Sequence, residues 1–134
     1  MTPSAIQQSL ANCQTIAVVG LSPKPHRDSF RVAKYMQDHG FRIVPINPNA
    51  TEVLGEKAYA SLTEAAQHER IDMVNCFRNS EDIPPIAAEA VAIGAKSLWL
   101  QLGVVNDAAA KQATEAGLVV VQDKCLMVEH RQLR

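Results

Sequence analysis

The chain has 134 residues, with 13 Lys and Arg against 14 Asp and Glu, a net charge of −1 and 47% hydrophobic residues. That length fits one domain with its own core, and the balanced charge excludes a general nucleic-acid binder, which needs a large basic excess. Apolar and charged fractions this ordinary also exclude wholesale disorder.

In chain order, residues 3–13 read as a flanking helix. Ile16-Ala17-Val18-Val19 is a short apolar run that ends at Gly20 and reads as a strand. Asp28 or Ser29 is placed to cap a helix running to Gly40, with Val32, Ala33 and Met36 as its buried stripe. A second strand pattern, Phe41 to Ile46, stops at Asn47-Pro48, and Lys57-Ala58-Tyr59 adds a very short strand. Thr63 starts a short helix with Glu64 in its first turn. Ile71 to Cys76 is the next strand. Pro84-Pro85 opens a helix, because proline tolerates the first turn; it carries Ile86, Ala90 and Ile93 inward and stops at Gly94. Ser97 to Gln101 is a strand. Asn106 or Asp107 caps an Ala-rich helix that ends at Gly117. Leu118 to Val121 is the last strand, and residues 123–131 form a closing helix.

Short Val- and Ile-rich runs alternating with helical segments predict a parallel sheet covered on both faces. The expected fold is α/β: a Rossmann-like, doubly wound, mostly parallel sheet of five or six strands, with helices on both faces and the first strand central. One domain over residues 1–134 is expected. No run reaches 18 apolar residues, and the start, Met1-Thr2-Pro3-Ser4, lacks the basic and apolar regions of a leader. Cys13, Cys76 and Cys125 are scattered and odd in number, with neither disulfide nor zinc spacing. The sequence therefore reads as a cytoplasmic chain with reduced thiols and with no membrane or nucleic-acid partner.

In such sheets ligands sit beyond the carboxyl ends of the strands, where strand order reverses. Four loops qualify. The first runs from Gly20 to Asp28: Gly20 permits a tight turn, Ser22 offers a hydroxyl, and Lys24 and Arg27 can neutralise phosphate at a helix N-terminus. A solvated, Pro-stiffened loop is the plainer reading. The dinucleotide fingerprint is not met, because Ser22 and Pro25 stand where its second and third glycines belong. Asn47 replaces the acidic residue that meets the ribose, so reduced nicotinamide is expected to bind poorly. Asn47, held extended by Pro48, either presents its amide to a ribose or adenine or simply makes a turn. Phe77 either covers an adenine or a pantetheine arm or closes the core. Arg78 either reaches a pyrophosphate or pairs with Glu81 or Asp82. The fourth loop, Gln101 to Asn106, suits a wall against an uncharged arm or a turn into a helix.

No catalytic constellation appears. His26, His39, His68 and His130 show no metal-ligand spacing. Cys76 and Cys125 have no His nearby in sequence, and no G-x-S-x-G, H-E-x-x-H or C-x-x-C is present.

Several stretches together resemble the small stand-alone CoA-binding proteins, themselves similar to the CoA-binding Rossmann domain of the succinyl-CoA synthetase alpha subunit. They are Val19-Gly20-Leu21-Ser22-Pro23-Lys24-Pro25, Phe41 to Pro48, Asp82-Ile83-Pro84-Pro85, Trp99 to Gly103 and Ala116 to Cys125. The resemblance spans about residues 10–131. It implies coenzyme A as ligand, with Gly20, Ser22, Lys24 and Arg27 on the pyrophosphate and Asn47 and Pro48 at the adenosine end. Phe77, Arg78 and the helix start at Pro84 would flank the nucleotide and the pantetheine arm. Asn49-Ala50-Thr51 stand where the synthetase carries a cation for the adenosine phosphate, and the chain stops before the synthetase's phosphohistidine domain. The expectation is binding of CoA or an acyl-CoA without turnover. The alternatives are an enzyme or thiol-redox protein using the same pocket, and a CoA-sensing module for a partner protein.

Overall fold

The computed structural model describes residues 4–133; Met1 to Pro3, where the leader reading and the first residue of the opening helix fall, lie outside them. The chain runs through α1 (Ala5–Ala11), β1 (Thr15–Val19), α2 (Asp28–Asp38), β2 (Arg42–Ile46), β3 (Glu52–Val53), β4 (Glu56–Lys57) and α3 (Leu62–Ala65). It continues through β5 (Met73–Cys76), a single 3₁₀ turn (Ser80–Asp82), α4 (Ile83–Ala92), β6 (Ser97–Leu100), α5 (Asp107–Glu115), β7 (Val119–Val121) and α6 (Leu126–Leu133).

Five strands form one parallel sheet in the order β2-β1-β5-β6-β7. Tyr59 adds one parallel bridge to Ile46 at the outer edge of β2. The expected α/β architecture is thus present, with the first strand inside the sheet. Alternation along each strand feeds two cores. Ala17, Val19, Val74 and Cys76 face α3, α4 and α5. Ile16, Val18, Met73 and Trp99 face α2 and α6. Burial on both faces is why the strands read as unbroken apolar runs rather than alternating ones. Pro45 is tolerated in β2 because odd-numbered residues there bond outward, as the Tyr59 N–H to Pro45 carbonyl bond (3.0 Å) shows.

Several local expectations shift. The stripe Val32, Ala33, Met36 is buried as read. In α4 the fully buried positions are Ile83, Ala87 and Ala90, while Ile86 and Ile93 pack at the margin. Neither Asp28 nor Ser29 caps α2. Arg27 holds the cap position with no side-chain bond, because the Ser29 hydroxyl accepts the Ser22 N–H (3.0 Å) and Asp28 pairs with Arg31. Ser61, not Thr63, opens α3, its hydroxyl accepting the Glu64 N–H at 3.1 Å. The expected strand at 57–59 divides: Lys57 ends a small antiparallel hairpin, β3-β4, and Tyr59 makes the parallel bridge to Ile46. Leu54 (φ 55°) and Gly55 (φ 76°) form the hairpin's two-residue turn, which demands positive φ at both positions. Leucine at the first of these hides the signal.

Asp72 staples the amino edge of the sheet. Its carboxylate accepts the Gln14 and Thr15 N–H groups, both at 3.0 Å, and lies 3.6 Å from the Lys96 ammonium. Burial alone would raise its pKa, but the two backbone donors and Lys96 outweigh burial and hold it below the ordinary carboxylate value. A depressed folded pKa means stabilisation present above the unfolded value, near 3.8, and lost as pH falls through the folded one. Asp72→Ala should therefore destabilise the protein by about 2–4 kcal/mol at neutral pH. Urea unfolding at stepwise lower pH checks this: the gap to wild type should close below pH 4, and a pH-independent gap would contradict it.

Candidate functional site

Chain winding reverses at β1, with β2 on one side and β5 to β7 on the other. The reversal leaves its crevice between the ends of β1 and β5, where open α/β sheets bind ligands. Gly20 and Phe77 flank it. The Gly20 N–H donates to the Ile46 carbonyl (3.0 Å) and the Phe77 N–H to the Val19 carbonyl (2.9 Å), so both loops leave the sheet in register. Gly20 has φ +85°, and a Cβ there would stand 2.6 Å from the Phe77 carbonyl oxygen. Only glycine lets these two chains approach so closely.

The loop after Gly20 is pinned by Leu21, which is fully buried. The Asn47 amide donates to the Leu21 carbonyl (2.9 Å) and accepts the Asn49 N–H (2.8 Å). It therefore ties the second loop to the first and makes the Asn-Pro turn, with one N–H and one lone pair left over. The Ser22 hydroxyl accepts the Lys24 N–H (3.1 Å), which leaves its own proton to donate. The Arg27 N–H closes a turn onto the Lys24 carbonyl (3.0 Å). Lys24 and Arg27 are both exposed at its outer side. Beyond them α2 starts uncapped, so its first-turn N–H groups and positive dipole end face outward.

Two clefts lie along this edge. The first, about 620 Å³, is lined by Gly20, Ser22, Asn47, Pro48, Arg78 and Pro85, together with Glu81, Asp82 and Glu89. The second, about 460 Å³, is lined by Val32, Phe77, Gln101, Leu102, Cys125 and Met127 among others. Arg78 lines both, and it is lightly held, 3.5 Å from Asp82. The structure brings Gly20, Ser22, Asn47, Pro48 and Arg78 of the expected site residues into one cleft. Phe77 lies in the other, and Lys24 and Arg27 stand on the loop outside both linings. Pro84 is exposed at the head of α4, and its neighbour Pro85 lines the cleft. The contributions of Ser61, Ile86 and Glu89 carried no motif and were not legible. Cavities of about 610 and 640 Å³ at the opposite edge surround Cys13, Asp72 and Lys96, so volume alone does not select a site.

The thiols separate by environment. Burial pushes the Cys76 thiol up to about 12, and burial followed by the Asp72 charge pushes Cys13 up to about 12. Cys125 is half-buried in the second cleft. Since the thiolate is the reactive form, timed alkylation of the folded protein should label Cys125 first and half-buried Cys13 more slowly, with buried Cys76 following only on unfolding. Early labelling of Cys76, read by peptide mass mapping, would contradict this. Among the described residues no three His, Cys, Asp or Glu side chains gather to hold a metal, and no helix is long and apolar enough to cross a membrane. His39 and His130 sit with Tyr35, whose hydroxyl lies 3.0 Å from the His130 Nδ1; His68 stacks on Tyr59.

A parallel sheet with a glycine at its switch point, an uncapped helix N-terminus and flanking cations is the arrangement that nucleotide-binding α/β domains share. Residues 14–131 match the family model described as CoA binding domain, and the chain belongs to that family. A Bacillus subtilis (strain 168) protein, YneT, described as uncharacterized, is 44% identical over 125 residues, 93% of this chain and 91% of that one. A solved structure titled "hypothetical protein from Pyrococcus horikoshii OT3" superposes with a TM-score of 0.91 at 38% identity, covering 99% of this chain and 92% of that one. The ADP-forming acetate–CoA ligase II of Archaeoglobus fulgidus is 28% identical over 85 residues, 62% of this chain and 12% of the ligase. The chain is therefore related to the CoA-binding part of acyl-CoA synthetases.

Proposed function

We propose that the protein binds coenzyme A, extended along the carboxyl edge of the sheet, and does not turn it over. The observation that carries this reading is the uncapped N-terminus of α2, set beside the Gly20 crevice and flanked by Lys24 and Arg27. The residues present suit the group. The pyrophosphate takes the α2 amides, the Ser22 hydroxyl and the Lys24, Arg27 and Arg78 cations. The adenosine enters the first cleft beside Asn47 and Pro48, near the Pro84-Pro85 start of α4. The arm passes Arg78, the residue both clefts share, and lies over Phe77 in the second.

Nothing after β2 supplies a cation at Asn49-Ala50-Thr51, so dephospho-CoA should bind within several-fold of CoA. NADH should bind far more weakly than either, for want of an acidic residue at Asn47. Calorimetric titration of the three ligands tests the reading; low-micromolar NADH binding would overturn it in favour of a dehydrogenase-like site.

One observation favours the thiol-redox alternative: Cys125 opens onto the same cleft as the proposed arm. If binding alone is the function, Cys125→Ser should leave CoA affinity within a few-fold. A CoA mixed disulfide on Cys125 in the purified protein, seen by mass spectrometry, would favour this alternative, and an acyl-thioester there would favour an acyl-transfer enzyme.

A further inference from the structure

Asn75 is the least expected residue of the core. It is 0% exposed, and neither its Oδ1 nor its Nδ2 has a hydrogen-bond partner among the described residues. A buried amide in that state is unfavourable, and native proteins almost always provide it with a partner. Asn75 stands in β5, between Val18 of β1 and Trp99 of β6, one residue before the strand's carboxyl end. Strand alternation puts it on the face of Met73 and Phe77, the face covered by α2 and α6. That is the face on which the second cleft opens. The first cleft opens on the other face, over Val19, Ile46 and Leu62.

Phe77, half-buried, lies one pleat beyond Asn75, about 7 Å along the strand, and lines the second cleft with Gln101. The nearby indole offers no donor, because the Trp99 N–H already goes to the Lys124 carbonyl at 2.9 Å. Gln101 is buried, and its Oε1 accepts the Leu126 N–H at 3.0 Å. Among the described residues the one fully buried side-chain amide without a partner is therefore Asn75, which both donates and accepts. Its natural complement is another amide, whose C=O and N–H it can pair reciprocally. A phosphate or a charged head would leave one half of Asn75 unsatisfied.

We propose that Asn75 recognises an amide group of the ligand's arm, reached through the second cleft as the Phe77 side chain turns aside. This rests on the CoA reading above, since the arm of CoA carries two amides. It makes Asn75 the residue that distinguishes CoA from its arm-less nucleotide, adenosine bisphosphate.

The test titrates CoA and adenosine bisphosphate into wild type and Asn75→Leu. Asn75→Leu should unfold at a higher temperature than wild type, bind CoA about ten-fold more weakly and bind adenosine bisphosphate unchanged. Unchanged CoA affinity, or an equal loss for both ligands, would overturn the proposal while leaving the CoA reading intact. If wild type binds neither ligand, the CoA reading itself fails. Should the variant not fold, NMR of the wild type decides. The Asn75 side-chain NH₂ resonance should move with CoA and stay still with adenosine bisphosphate; a resonance that ignores CoA overturns the proposal.

Discussion

Gly20→Ala is expected to destabilise the protein by about 2–5 kcal/mol and to abolish measurable CoA binding. Two separate penalties add. The position has φ +85°, where any residue with a Cβ is strained, and the new methyl would sit 2.6 Å from the Phe77 carbonyl oxygen. Neither neighbour can retreat easily. The Phe77 N–H is bonded to the Val19 carbonyl, and Gly20 to the Ile46 carbonyl, so both chains are tied to the sheet. Relief must come by parting the ends of β1 and β5, which is the crevice itself. Urea unfolding and CoA calorimetry on the same preparation check this. A variant that unfolds like wild type would mean the close approach is not a constraint of the native fold.

Arg27→Ala should weaken CoA by about ten- to a hundred-fold, from the loss of one charge-assisted contact of about 1.5–3 kcal/mol. Lys24→Ala should have a smaller effect, because a flexible ammonium is well hydrated when free. Both side chains are exposed, so affinity should fall as salt rises, and the slope should flatten in each variant. Removing either cation should leave stability almost unchanged, since neither side chain lies in the core. Equal affinity in wild type and in both variants would move the anion site away from this loop.

The order of elements was legible because strands buried on both faces leave unmistakable apolar runs, and because Gly20, Gly94 and Gly117 punctuate them. The ligand edge was legible from topology: once the strands are parallel, the loops after β1, β2, β5 and β6 must share one edge. What stayed hidden was decided by competition for single groups. Ser29 looks like a cap in sequence, yet its hydroxyl stabilises the Ser22 N–H, and that diversion is what leaves α2 open. Asn47 could have faced a ligand or made a turn; in the fold it bonds Leu21 and Asn49 and links two loops. Leu54 in a left-handed turn gave no composition signal. Asn75 is a single polar residue inside the run from Ile71 to Cys76, and only its burial in the fold shows it as an amide without a partner among the described residues.

In the proposed complex CoA lies along the carboxyl edge, across Gly20 and Arg78. Backbone amide chemical-shift mapping during a CoA titration tests this placement most directly. The largest shifts are expected at Gly20, Ser22, Asp28 and Arg78, with Cys13, Asp72 and Lys96 unmoved. Shifts concentrated around Cys13, Asp72 and Lys96 instead would place the ligand in the cavities at the amino edge and contradict it.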